Sequence, residues 1–217
     1  MKLFVDTGSI KDIQAIADLG ILDGVTTNPS LLAKEAGDFK ANLKKICDIV
    51  KGPVSGEVTA VDVAGMLQQG REIARIDQHM IVKVPLTRAG IQACKTLSGE
   101  GIRVNVTLCF SSAQALLAAK AGATYISPFV GRLDDVGTNG MELIREIVQI
   151  YSNYDFTTEI LVASCRNPIH VIEAARMGAD IATCPPAVID MLFNHPLTNI
   201  GLEKFLKDWE KSQTVKA

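Results

Sequence analysis

Lys83 stands inside an apolar run, Met80-Ile81-Val82-Lys83-Val84-Pro85-Leu86. Lysine is among the residues least often fully buried. The alternation of a strand over this run carries its side chain into an interior unless an edge strand leaves that face wet. A desolvated lysine sheds its proton more readily than the free side chain, whose pKa is about 10.4. The neutral amine is a nucleophile toward carbonyls and forms Schiff bases. Taken alone, the segment equally allows a strand-end lysine whose charged head reaches solvent.

An imine-forming lysine needs partners, and the other apolar runs end in suitable groups. In chain order these are Asp6, Thr26 with Asn28, Glu57, Lys83, Asn105 with Thr107, Ser127, and Ser164 with Arg166. Buried polar groups cost about 1–3 kcal/mol each unless paired, so a scaffold built for stability alone has no use for this set. An iminium formed on Lys83 would act as an electron sink and permit cleavage of a neighbouring C–C bond. That step requires a general acid/base, for which Asp6 and Glu57 are candidates. Asn28 and Asn105 could hold sugar hydroxyls, and Thr107 or Ser127 could orient a water. Arg132 and Arg166 follow the sixth and seventh runs and could grip a phosphate in fork geometry.

The elements that must position these residues alternate in type. Strand candidates lie at 2–6, 23–27, 54–59, 80–85, 103–108, 125–130, 159–164 and 181–184, with helix-patterned stretches between most of them. Such alternation implies βαβ units and a parallel sheet. Gly20, Gly101, Gly122 and Gly178 each fall after a helix and before a strand, where a left-handed cap is wanted. Ser9 with Asp12, Asn28-Pro29 and Asn167-Pro168 read as helix starts. Eight repeats predict an α/β fold of the closed (β/α)8 TIM barrel type. An open doubly wound sheet is less well supported, because Asp6-Thr7-Gly8-Ser9 is no glycine-rich phosphate loop. Two helices fall outside the eightfold pattern, at 38–51 and at about 196–211. The apolar face of the latter, with Leu197, Ile200, Leu202, Phe205, Leu206 and Trp209, needs a partner, either its own barrel or a neighbouring subunit.

No linker or charge block divides the chain, so it reads as one domain over 1–217. The net charge of −2 argues against a nucleic-acid binder, which usually shows a basic face. No run reaches the roughly 18 apolar residues of a membrane span, and no secretion signal opens the chain. The expectation is therefore a cytoplasmic protein, with its five cysteines acting as small buried hydrophobes. The three histidines, His79, His170 and His195, are scattered, which argues against a metal-dependent enzyme. The sequon Asn105-Val106-Thr107 lies within a strand run and is discounted as a glycosylation site. Gly137 and Gly140 permit loop 133–140 to move over a ligand without requiring it.

Six ordered motifs then resemble one family: Val5-Asp6-Thr7, Gly24-Val25-Thr26-Thr27-Asn28-Pro29-Ser30, Ile81-Val82-Lys83-Val84-Pro85, Asn105 to Ser111, Ile126-Ser127-Pro128-Phe129-Val130-Gly131-Arg132 and Ala163-Ser164-Cys165-Arg166-Asn167. The chain is similar to the transaldolases, in the small single-domain subgroup that also contains fructose-6-phosphate aldolases. The resemblance implies a Schiff-base mechanism on Lys83, with Asp6 as acid/base and Glu57 with Thr107 positioning the catalytic water. It implies Asn28, Asn105 and Ser127 at the substrate hydroxyls, with Thr26 beside them, and Arg132, Ser164 and Arg166 at the phosphate. It also implies sugar-phosphate substrates, no metal or organic cofactor, a place in the non-oxidative pentose phosphate pathway, and homo-oligomers of five or ten subunits. The aldolases carry Gln where Glu57 stands and Tyr where Phe129 stands, so both positions point to transfer rather than simple cleavage. A non-catalytic sugar-phosphate-binding barrel could dispense with Lys83, Asp6 and Glu57, and all three are present.

Overall fold

The computed structural model describes residues 1–214. Eight parallel strands close a barrel in chain order: β1 (Lys2–Asp6), β2 (Gly24–Thr26), β3 (Val54–Glu57), β4 (Met80–Pro85), β5 (Val104–Cys109), β6 (Tyr125–Pro128), β7 (Glu159–Val162) and β8 (Ile181–Cys184). Each pairs with the next, and β8 returns to β1 with Lys2 opposite Ile181 and Val5 opposite Cys184. Outside lie α1 (Ile10–Ala17), α3 (Phe39–Val50), α4 (Val63–Ala74), α5 (Arg88–Gly99), α6 (Ser112–Ala121), α8 (Gly140–Asn153), α9 (Pro168–Met177) and α10 (Pro186–Phe193). Two short helices, α2 (Pro29–Leu32) and α7 (Val130–Asp134), follow β2 and β6, and α11 (Pro196–Thr214) ends the chain. The expected TIM barrel with a C-terminal helix is what forms. Among the described residues no helix is long and apolar enough to cross a membrane.

The sequence overextends several strands. The regular strands expected at 54–59, 125–130 and 159–164 stop at Glu57, Pro128 and Val162, although Val58 still donates to the Lys83 carbonyl and Phe129 still pairs with Ala163 as an isolated bridge. Phe129 becomes the N-cap residue of α7, so Arg132 lies on a short helix. The C-terminal helix continues beyond residue 211 to Thr214. Gly122 and Gly178 are left-handed caps as expected, whereas Gly20 and Gly101, also at positive φ, lie past caps formed by Asp18 and Glu100. Ser9, Asn28 and Asn167 each accept a backbone N–H at a helix start, which satisfies one of the donors that a first turn leaves free.

Two packed layers follow from the two-residue period of the strands. Val5, Val25, Val54, Val82, Val84, Val104, Val106, Ile126, Val162 and Ala182 face outward and join the buried faces of the helices in the larger core. The alternate set, Phe4, Ile81, Tyr125, Leu161 and Ile181, meets inside the barrel as a separate cluster. Phe4 meets Tyr125 edge to face at 6.3 Å. It also fills the space beside Gly24, where any Cβ would fall 2.5 Å from the Phe4 ring. This plug closes the barrel below the level of Lys83. Phe4→Ala should therefore cost about 3–5 kcal/mol through lost burial and an unfilled cavity, read as a lower urea midpoint with an unchanged slope.

Candidate active site

One residue further along the same inward-facing set, the side chains turn polar. Asp6, Thr26, Glu57, Lys83, Thr107, Ser127 and Thr183 occupy the strands' C-terminal ends, the face where barrels of this kind carry their sites. Asp6, Thr26, Asn28, Lys83, Thr107, Ser127, Phe129, Arg132, Ser164 and Arg166 line one cavity of about 170 Å³, together with Ala163 and Thr183.

Lys83 is 5 % exposed, which removes the reading in which its head reaches bulk water. Its Nζ donates to the Thr27 carbonyl at 3.0 Å and lies 3.0 Å from Glu57 Oε2. The pairing of β3 with β4 sets that contact by placing Glu57 directly opposite Lys83. Glu57 is not among the residues lining this cavity and meets the site through the lysine. Asn105, opposite Lys83 on the other side, is also one step removed. It accepts from Ser127 Oγ at 2.8 Å and donates to Ser55 Oγ at 3.3 Å. It therefore orients Ser127 and does not line the cavity.

Asp6 Oδ1 accepts from Thr26 Oγ1 at 2.7 Å, and that hydroxyl is 2.7 Å from Thr183 Oγ1. Burial pushes the Asp6 carboxyl above its ordinary range, and the Thr26 hydrogen bond and the charge of Lys83 oppose the shift without cancelling it. Thr107 Oγ1 is buried and, among the described residues, is the side-chain polar atom left without a hydrogen-bond partner. Such orphans are rare in folded proteins, and this one borders the cavity. Asn28 uses its carbonyl end to cap α2, so capping and cavity lining coexist in one amide.

Phe129 meets Phe110 edge to face at 5.8 Å, and the Arg132 guanidinium lies 5.9 Å from the Phe129 ring centroid. Ser164 holds φ +60, a conformation costly for a residue with a side chain and often found at functional positions. Arg166 pairs with Asp135 at 2.7 Å, both side chains about half exposed. Thr183 was not foreseen. It lies one residue before the end of the eighth strand, and counting alternate residues on from Ile181 would have found it. The five cysteines are buried and free. Burial pushes Cys47 and Cys109 up to about 12 and Cys94 to about 11. Hydrogen bonding with Cys184, reinforced by burial, holds the Cys165 thiol well above its usual value. Thiols so protonated are poor nucleophiles.

The model of the family described as Transaldolase/Fructose-6-phosphate aldolase matches residues 3–216. A probable transaldolase of Caldicellulosiruptor saccharolyticus is 59 % identical over 212 residues, which cover 97 % of this chain and 98 % of that protein. A probable transaldolase of Rhodospirillum centenum is 60 % identical over 213 residues, covering 98 % and 92 %. One from Methanococcus maripaludis is 58 % identical over 210 residues, covering 97 % and 98 %.

The raised carboxyl makes a pH-dependent prediction. Between 3.8, the ordinary value, and the higher folded value, the folded protein keeps a proton that the unfolded chain releases. Stability therefore falls as pH rises through that window. Asp6→Asn removes this titration. The Tm of Asp6→Asn relative to the parent should be flat below pH 3.8, climb as pH rises, and level off, as read by thermal scans at fixed ionic strength.

Proposed function

The chain belongs to the transaldolase/fructose-6-phosphate aldolase family, and we propose that it is a transaldolase. In this reading it moves a dihydroxyacetone unit from fructose 6-phosphate or sedoheptulose 7-phosphate to glyceraldehyde 3-phosphate or erythrose 4-phosphate. The observation that carries the reading is a buried lysine at a cavity that also holds a carboxyl and two arginines.

Glu57, 3.0 Å away, receives the ammonium proton of Lys83. The freed amine attacks the ketose C2, and loss of water from the carbinolamine gives an iminium. Asp6 takes the proton of the C4 hydroxyl as the C3–C4 bond breaks. The electron pair flows to the iminium nitrogen, leaving an enamine on Lys83 and releasing an aldose phosphate. The acceptor aldehyde then adds to the enamine with Asp6 returning the proton, and water hydrolyses the new iminium. The nitrogen itself supplies the electron sink, so the scheme calls for no metal or organic cofactor. Thr107, with its unpaired hydroxyl, is suited to orient that water beside Glu57. Asn28 and Ser127 hold the sugar hydroxyls, with Asn105 behind Ser127. Ser164, Arg132 and Arg166 take the phosphate. Glu57 and Phe129 favour transfer over free cleavage, because the Phe129 ring carries no phenolic proton.

The reaction belongs to the cytoplasmic non-oxidative pentose phosphate pathway. A homo-oligomer of five or ten chains accounts for α11, where Leu197, Ile200, Leu202, Phe205, Leu206 and Trp209 are each more than half exposed. A patch of that kind marks an interaction surface, and a second copy of this chain is the proposed occupant.

Three results are expected. In a coupled assay with fructose 6-phosphate, glyceraldehyde 3-phosphate should form only when erythrose 4-phosphate is added; free dihydroxyacetone without it would instead mean an aldolase. Borohydride with fructose 6-phosphate should add a three-carbon unit to Lys83, and Lys83→Met should lose both labelling and turnover while keeping its melting temperature. Light scattering after gel filtration should give a mass above that of one chain, falling to one chain for Phe205→Glu combined with Trp209→Glu. A monomeric parent would sink the oligomer assignment.

A further inference from the structure

Arg166 is tied at one end to Asp135 and at the other, through His170, to Asp134. At the guanidinium end, Nη2 donates to Asp135 Oδ2. At the backbone end, the Arg166 N–H donates to His170 Nδ1 at 3.2 Å. His170 is 7 % exposed, and its Nε2 lies 2.9 Å from Asp134 Oδ2. Since Nδ1 accepts, the ring proton belongs on Nε2, where it is donated to Asp134. Asp134 in turn accepts the Gly140 N–H at 2.9 Å through its other oxygen. One buried imidazole thus ties the segment after β7 to the C-terminal end of α7 and the start of α8.

The same segments are pressed together by glycine. A Cβ on Gly131 would fall 2.3 Å from the Ser164 carbonyl oxygen and 2.7 Å from Arg166 Cγ. A Cβ on Gly140 would fall 2.3 Å from the Val130 carbonyl oxygen. Helix α7, which carries Arg132, therefore lies directly on the strained Ser164 turn. The spacing between the two arginines is set by this contact and by the Asp134–His170 bridge. The exposed Asp135 pair contributes little by comparison, because exposed ion pairs are weak.

We propose that His170 and Asp134 are the positioning pair for the anion site. Neither borders the cavity. They hold the Arg166 backbone against α7 so that Arg132, Ser164 and Arg166 converge on one phosphate, and so they set the preference for phosphorylated sugars. The inference rests on the reading of these arginines as the phosphate site. A small displacement of Arg166 should then weaken phosphate binding while leaving Lys83 and its chemistry in place.

The test compares fructose 6-phosphate with fructose as donor, using unphosphorylated erythrose as acceptor, and adds inorganic phosphate as a competing inhibitor. His170→Gln keeps polar reach but removes the acceptor facing Arg166. It should raise KM for fructose 6-phosphate and the inhibition constant of phosphate by about five- to tenfold, the scale of one lost hydrogen bond. The kcat, and all values with fructose, should stay within about twofold. His170→Asn places an oxygen where Nδ1 stands and should recover part of the loss. Asp134→Asn, at a partly exposed site, should repeat the His170→Gln pattern even if that variant folds poorly. Equal losses with both donors, or an unchanged KM for fructose 6-phosphate, would overturn the positioning role. A parent that neither prefers the phosphorylated donor nor responds to phosphate would overturn the arginine reading as well. A parent that discriminates, with variants that discriminate equally, removes only the role of His170 and Asp134.

Discussion

Register between parallel strands is the constraint on which the rest of the structure depends. With side chains alternating every residue, one choice of parity sends Phe4, Ile81, Tyr125, Leu161 and Ile181 into the barrel below and Asp6, Thr26, Glu57, Lys83, Thr107, Ser127 and Thr183 into it above. A slip of one residue on any strand would exchange its inward and outward sets. It would set valines from the outer core against the cavity and bury a lysine or a carboxylate among helices. Charged groups so placed cost several kcal/mol after relaxation. Apolar burial outside and the polar ring inside therefore enforce the same pairing, and Glu57 meets Lys83 because the ladder places them side by side.

The polar ring is costly in itself, and its hydrogen bonds show how the cost is contained. Thr26 links Asp6 to Thr183, Asn105 links Ser127 to Ser55, and the Thr27 carbonyl and Glu57 share Lys83. What remains uncompensated is localised: a carboxyl raised by burial, a hydroxyl without a partner and a serine at positive φ. Proteins commonly concentrate strain and unsatisfied polarity where ligands bind. The plug of aromatic and branched side chains beneath supplies burial that offsets it.

Much of this is legible in the chain because the relevant signals are local. Apolar runs ending in polar residues, caps such as Asn28-Pro29, and glycines past helix ends mark the eight repeats without reference to distant contacts. What the sequence leaves open is what sequence distance hides. Regular strand ends at 57, 128 and 162 are decided by pairing with residues far away in the chain, which thins to single bonds and one isolated bridge beyond them. Asn105 and Glu57 look like direct cavity residues because both lie on the inward parity. Only the packed barrel shows that Ser127 and Lys83 stand in front of them. His170 read as one of three scattered histidines, and its tie to Asp134 joins positions 36 apart through a fold that no spacing rule encodes.

The seam between β8 and β1 joins residues from opposite ends of the chain, Lys2 beside Ile181 and Phe4 beside Thr183. The hydroxyl chain from Asp6 through Thr26 to Thr183 straddles that seam. Asp6, Lys83 and Arg132 all precede the end of the seventh strand and Arg166 follows it closely, yet without β8 the wall that carries Thr183 is missing. The environment that sets the chemistry of these groups is assembled only when the eighth strand emerges. The interior around Lys83 is therefore shut only once the first and last strands of the barrel have met.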